Sequence, residues 1–161
     1  MRNCARSSYE MVANEMDKLD FKVESKAAGP YENGVNIFIN GKNLIDLLKE
    51  YELPFAQKES HENIAGAYSG VGSHDLLDRI CKSGEHVTIF TCGSCGEDGC
   101  WPMVIAIIEE GNSIRWKNFR QPHRGKNSKA SFWDYSKFPE FVFEKNDYNN
   151  ALKKLADLAS L

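Results

Sequence analysis

The stretch TCGSCGEDGCWP, Thr91 to Pro102, places Cys92, Cys95 and Cys100 within nine residues and separates them with glycines. Thiolates are soft metal ligands and redox nucleophiles, and both chemistries need sulfurs held close together. Cys92-Gly-Ser-Cys95-Gly96 has the C-x-x-C-G form of a metal knuckle. In a knuckle two thiolates face one point, and the glycine lets the backbone curl so that its N–H groups approach the sulfurs. Cys100 would supply a third thiolate, and His123 in FRQPHR is the candidate for the fourth position of a tetrahedral zinc site. A closed four-ligand site leaves no position for water, so that zinc would be structural. Two other readings stay open. A redox C-x-x-C usually opens a helix whose N-terminus lowers the pKa of the first cysteine, whereas the residues here read as a loop leading into a strand. A plain tight turn, with cysteine as a small apolar residue among Gly93, Gly96 and Gly99, is the simplest of the three.

Charge is segregated along the chain. Asn112 to Ala130 holds Arg115, Lys117, Arg120, Arg124, Lys126 and Lys129 with no acid, while the net charge is −3, so the remainder carries −9. Trp116 and Phe119 interleave with these bases, a composition that suits phosphate, nucleic acid or an acidic partner surface. On a regular strand Arg115, Lys117 and Phe119 would share one face and Trp116 and Asn118 the other. That describes a solvated edge better than a stacking platform, and overall acidity argues against nucleic acid as the partner. The acids Asp46, Glu50, Glu52, Glu59 and Glu62 cluster before the glycine-rich GAYSGVG and offer a surface for a basic partner protein. There is no G-x-S-x-G and no H-E-x-x-H, and no histidine forms a recognisable triad, so no catalytic residue is assigned.

The elements that must position these residues follow from periodicity. Ser7 or Ser8 is expected to cap a helix with Val12, Met16 and Leu19 on one stripe, GPYENG to turn, and VNIFING to form a strand ended by Asn40-Gly41. NLIDLLKEYE is an amphipathic helix with Leu44, Ile45, Leu47, Leu48 and Tyr51 inward, stopped by Pro54. SHDLLDRICKSG reads as a short helix capped by Ser73 and ended near Gly84. The period then changes to two. His86–Thr91, Trp101–Glu109 and Ser113–Phe119 are expected as an antiparallel meander with the cysteine loop joining its first two strands. EFVFE adds a strand, and NDYNNALKKLADLASL is a helix with Tyr148, Leu152, Leu155 and Ala159 inward. The expected fold is α+β over a single domain, residues 1–161: an antiparallel sheet of about four or five strands with helices packed on one face.

Composition bounds the function. A chain of 161 residues, 42% hydrophobic and 27% charged, can bury a core without disulfide or metal. No apolar run approaches the ~18 residues of a membrane span, so no membrane partner is expected. The opening MRNCARSSYEMVANEMDKLDF lacks the apolar region of a signal peptide, and Cys4 has no apolar stretch before it to suggest a lipid anchor. A cytoplasmic location is expected, where the five cysteines would be reduced.

The words CGEDGCWP, RWKNFRQPHR and FWDYSKFPEFVFEKNDYNNAL resemble an uncharacterised family of small bacterial proteins. That family carries a C-G-x-x-G-C-W-P loop, then W-x-x-F-R-Q-P-H-R, then W-D-Y-S and a phenylalanine-rich strand. The resemblance covers about residues 34 to 155 and implies no activity. Two classes of function remain. One is a non-enzymatic binding protein, such as an immunity protein that neutralises a toxic, nuclease-like partner. The other is a thiol-redox or zinc-dependent factor centred on Cys92, Cys95 and Cys100. The missing catalytic constellation and the acidic remainder favour the first.

Overall fold

The computed structural model of the chain describes residues 16–23 and 34–160, and the statements below concern these residues. Most of the expected first helix lies outside them, as does GPYENG apart from Gly34. The end of that helix is corrected, because Leu19 opens a strand, β1 (Leu19–Val23).

β1 pairs antiparallel with β2 (Val35–Ile39), which pairs with β3 (Lys42–Asn43). Asn40 and Gly41 form the two-residue turn between β2 and β3, with φ of 54° and 79°. Positive φ at both central positions is what a type I′ hairpin turn requires, and Asn-Gly adopts it at little cost. Phe21, Val35, Ile37 and Ile39 point into the core.

α1 (Leu44–Lys58) starts at Asn43, whose side chain accepts from the Ile45 N–H at 2.9 Å. Pro54 lies inside α1 and does not end it, which corrects the expected stop. Its ring sits on an exposed position of the helix, and only one intrahelical donor is lost there. The helix ends one turn later, where Ser60 has φ 60°. The buried stripe of α1 is Leu44, Leu48, Glu52 and Ala56, at steps of four.

A second sheet has the order β4–β5–β6–β7–β8, antiparallel throughout: Tyr68–Ser69, Gly84–Cys92, Met103–Glu110, Ser113–Arg120 and Phe141–Glu144. The three-strand meander is therefore present. Its second strand begins at Met103, two residues later than expected, and Gly111 (φ 59°) supplies the tight turn into the third. α2 (Ser73–Ile80) follows β4; Gly72 holds its N-cap position and Ser73 is its first residue. α3 (Lys145–Ala159) is capped by Glu144, whose carboxylate accepts from Asp147 N–H at 2.8 Å. Its inner face buries Tyr148, Ala151 and Leu155, with Leu152 half-buried, and it packs on α2 and β1.

The two sheets are joined at two points. Asp17 bridges to Phe143 and bonds Val142 with both its N–H and its carboxylate, each at 2.8 Å. Val35 N–H donates to Val71 C=O at 2.9 Å, and Gly70 lies so close that a Cβ there would stand 2.2 Å from the Val35 oxygen. One continuous core results, with Trp116 at its centre: its indole N–H donates to Tyr148 Oη at 3.2 Å, and that hydroxyl donates to Ile80 C=O at 3.0 Å. No helix among the described residues is long and apolar enough to cross a membrane.

Candidate metal and thiol site

The cysteine loop leaves β5 at Cys92 and returns to the sheet at Met103. Its first turn is closed by Gly96 N–H donating to Cys92 C=O at 2.9 Å, with Gly96 at φ 74°. A side chain at Gly96 would strain this turn, so glycine after the C-x-x-C is a geometric requirement. Gly93 N–H donates to Ala67 C=O at 2.9 Å, which pins the loop to the residue before β4. The other end is held by Arg79 of α2, which pairs with Asp98 at 3.1 Å and with Asp75 at 2.9 Å and donates to Thr88 C=O at 3.1 Å.

The consequence is convergence. The sulfurs of Cys92, Cys95 and Cys100 all lie within 4.8 Å of one another, Cys92 buried and the other two exposed. Sulfurs around one zinc at ~2.3 Å would stand about 4 Å apart, so the loop presents nearly the spacing that three ligands of one ion need. Cys81 is exposed at the end of α2 and is not part of the group.

The three thiols are not equivalent. Burial alone would raise Cys92, but the N–H groups of Cys95 and Ser94 and the thiols of Cys100 and Cys95 aim at its sulfur and bring it down to about 7. Cys100 is pushed up to about 12, chiefly because its thiol donates to Cys92 and then to Cys95. Hydrogen bonds to the charged form favour it, and two sulfurs in contact do not both ionise freely. Cys92 is therefore more readily ionised than Cys100 and the better first ligand of the two.

His123 comes to the loop without joining the sulfur group. It lies in the turn Pro122–Arg124 behind β7, and its Nε2–H donates to Gly99 C=O, the residue before Cys100, at 2.7 Å. Its ring stacks on Trp101 with centroids 6.2 Å apart and planes 6° apart. Gln121 holds the turn: buried, it donates to Pro102 C=O at 2.8 Å and accepts from His123 N–H at 3.0 Å. The expected return of the third strand to the Cys100 edge is thus present, and the fourth ligand is a neighbour engaged elsewhere. The residues that flank the loop, Thr91 and Trp101, each bury a side-chain polar atom with no partner in the described residues.

The basic segment does not form a patch. Arg115 is held by Glu110 and Glu140 at 3.3 and 3.0 Å, and Arg124 by Glu59 at 3.1 Å. Arg120 donates to the carbonyls of Asn118 and Glu85 and contacts His86. Lys117 is half-buried. Nor do Phe119 and Trp116 fall on opposite faces. Between Lys117 and Arg120 the third strand has one residue more than its partner, Asn118 takes φ 54°, and the alternation shifts so that Ile114, Trp116 and Phe119 all face the core.

The acid cluster is divided too. Asp46, Glu50 and Glu62 are exposed and make no ion pair with a described residue. Glu59 is mostly covered: it pairs with Arg124 and accepts the Trp133 indole N–H at 2.5 Å. Glu52 is fully buried, which corrects its place on a docking surface. It accepts from Tyr68 Oη at 2.6 Å and from Gly66 N–H at 3.4 Å, and burial, partly offset by these bonds, pushes its carboxyl up to about 7. The step of four from Leu48 was the signal that could have found it. No family model matches the chain, and no curated protein or solved structure matches it.

Proposed function

We propose that the protein is a zinc-binding protein whose ion is held by the thiolates of Cys92, Cys95 and Cys100 and serves to brace the loop between β5 and β6. The observation that carries this reading is the convergence of three sulfurs within 4.8 Å inside one short loop. A turn lined with small residues has no need to aim backbone N–H groups and two thiols at one sulfur, whereas a metal knuckle does. His123 stands outside the sulfur group, and to serve as a fourth ligand its ring would have to release the Gly99 carbonyl. With four ligands the zinc would be structural; with three it would keep an exchangeable position. The test is elemental analysis of protein purified without chelator. One zinc per chain is expected, lost in Cys92→Ser and Cys95→Ser and kept in Cys81→Ser. Metal-free wild type with titratable thiols would sink the reading, and a reducible bond among the three would replace it with thiol-redox chemistry.

A second reading rests on Asp46, Glu50 and Glu62, exposed on α1 and the turn beyond it and without an ion pair among the described residues. These acids suit a non-enzymatic protein that neutralises a basic partner, for example an immunity protein bound to a toxic nuclease. Reversing Asp46 and Glu50 to lysine should then slow association with that partner and flatten its salt dependence. Unchanged kinetics would remove this reading and leave the zinc loop untouched.

A further inference from the structure

Two successive turns present the sulfurs of the thiol group differently to solvent. The first, closed by Gly96 N–H on Cys92 C=O, carries Cys95. The second, closed by Cys100 N–H donating to Glu97 C=O at 3.2 Å, carries Cys100. Both of these residues are exposed, whereas Cys92, the last residue of β5, is 7% exposed. All three are reduced, and their sulfurs lie within 4.8 Å of one another. The group is thus one covered sulfur and two open ones.

A brace alone does not explain that exposure. A metal-bound thiol is deprotonated, and an uncovered thiolate is the form that oxidants attack, so a purely structural site gains from covering its ligands. The nearby imidazole does not cover them, because the His123 ring is stacked on Trp101 and bonded to the Gly99 carbonyl. Closing a disulfide brings two sulfurs to about 2.0 Å, and the segment between Cys95 and Cys100 has room for that movement. Gly99 lies inside it, and a Cβ there would meet nothing within 4 Å. Cys81 is also exposed, but it stands outside the group and has no part in this pairing.

We propose that Cys95 and Cys100 are a redox switch on the zinc site: a hydroperoxide joins them in a disulfide, and the ion leaves. The proposal rests on the zinc reading above and adds a mode of regulation to it. One exposed thiolate attacks the peroxide, so that an S–O bond forms, the O–O bond breaks and an alcohol or water departs after taking up a proton. The second thiolate attacks the sulfenic sulfur, so that the S–S bond forms and the S–O bond breaks, releasing hydroxide that is protonated to water. Two electrons pass from the sulfurs to the peroxide, and zinc is released unchanged as the divalent ion. Of the three thiolates it keeps only Cys92, too few donors to hold it. A thiol reductant reverses the bond by exchange.

The test treats the zinc-loaded full chain with hydrogen peroxide. Zinc is followed with a chromogenic chelator, thiols by titration and the new bond by peptide mapping. Loss of zinc in step with a Cys95–Cys100 bond is expected, and dithiothreitol with added zinc should restore the loaded protein. Cys81→Ser should lose zinc as the wild type does. The proposal is overturned if the ion is kept under excess peroxide, if the chelator draws it off equally fast without peroxide, if the mapped bond includes Cys92, or if Cys81→Ser keeps its zinc. Zinc content before peroxide decides the underlying reading separately. A chain that takes up no zinc fails that reading and this proposal together, whereas a loaded chain that keeps its ion fails this proposal alone.

Discussion

The hydroxyl of Tyr68 donates to the Glu52 carboxyl at 2.6 Å, in a place where Glu52 has no exposure to solvent. Tyr68 also pairs with Cys92 across β4 and β5, so this acid sits one strand behind the thiol loop. The groups that face it are Tyr68, Tyr135 and the Gly66 N–H. All are neutral, so their hydrogen bonds offset only part of the cost of a negative charge there.

Glu52 therefore makes stability depend on pH. Its carboxyl is raised from 4.5 to about 7 in the folded chain, so between those values the folded state keeps a proton that the unfolded state has lost. Stability from this group is full below about pH 4.5 and is lost as pH rises through about 7. The difference is on the order of 3 kcal/mol. Glu52→Gln should abolish the slope between pH 5 and 7 in thermal melts; an unchanged slope would show that the acid is ionised in the fold.

Metal removal should loosen the loop and spare the domain. The core that centres on Trp116 holds no cysteine of the loop, and it buries enough surface to fold alone. Chelation of the zinc-loaded protein should leave far-ultraviolet circular dichroism unchanged and increase amide exchange between Gly93 and Trp101. Global unfolding on chelation would contradict this.

Asn118 should tolerate glycine and reject branched residues. Its φ of 54° lies in the left-handed region, which costs a β-branched residue about 1–2 kcal/mol or more. Asn118→Val should lower stability by that amount in denaturant titration, while Asn118→Gly should stay close to wild type. Equal stability of the two would mean that the strand has slipped to regular alternation.

The joint between the sheets predicts a contrast between two nearby glycines. A methyl at Gly70 would meet the Val35 backbone at 2.2 Å, whereas one at Gly72 meets nothing within 4 Å. Gly70→Ala should cost about 2–3 kcal/mol because backbone must move. Gly72→Ala should cost less, at most about 1 kcal/mol, since the methyl meets nothing and only the N-cap preference for glycine over alanine is lost. Matching melting temperatures would refute the close crossing.

Local spacing was enough for much of this molecule. The β-branched and aromatic runs HVTIFT, MVIAII and SIRWKN marked three strands, steps of three and four marked α1 and α3, and the C-x-x-C-G spacing marked a turn, while the convergence of its sulfurs was one of three readings it allowed. These features depend on residues a few positions apart, so the sequence states them directly. The stripe Leu44, Leu48, Glu52 carries the signal that the acid is inside, because a helix buries whatever stands on its inner face, although the clustering of acids pointed to a docking surface instead. Tertiary structure alone decided the rest. Arg115 and Arg124 lose their free charge to Glu140 and Glu59, which are 25 and 65 residues away in the chain. One added residue at Asn118 turns Phe119 from the solvent face to the core, and the Gly99 carbonyl accepts the hydrogen bond of the His123 ring N–H. Pairing over such distances leaves no periodic trace in the sequence, since its energy comes from contacts that exist only once the sheets have closed.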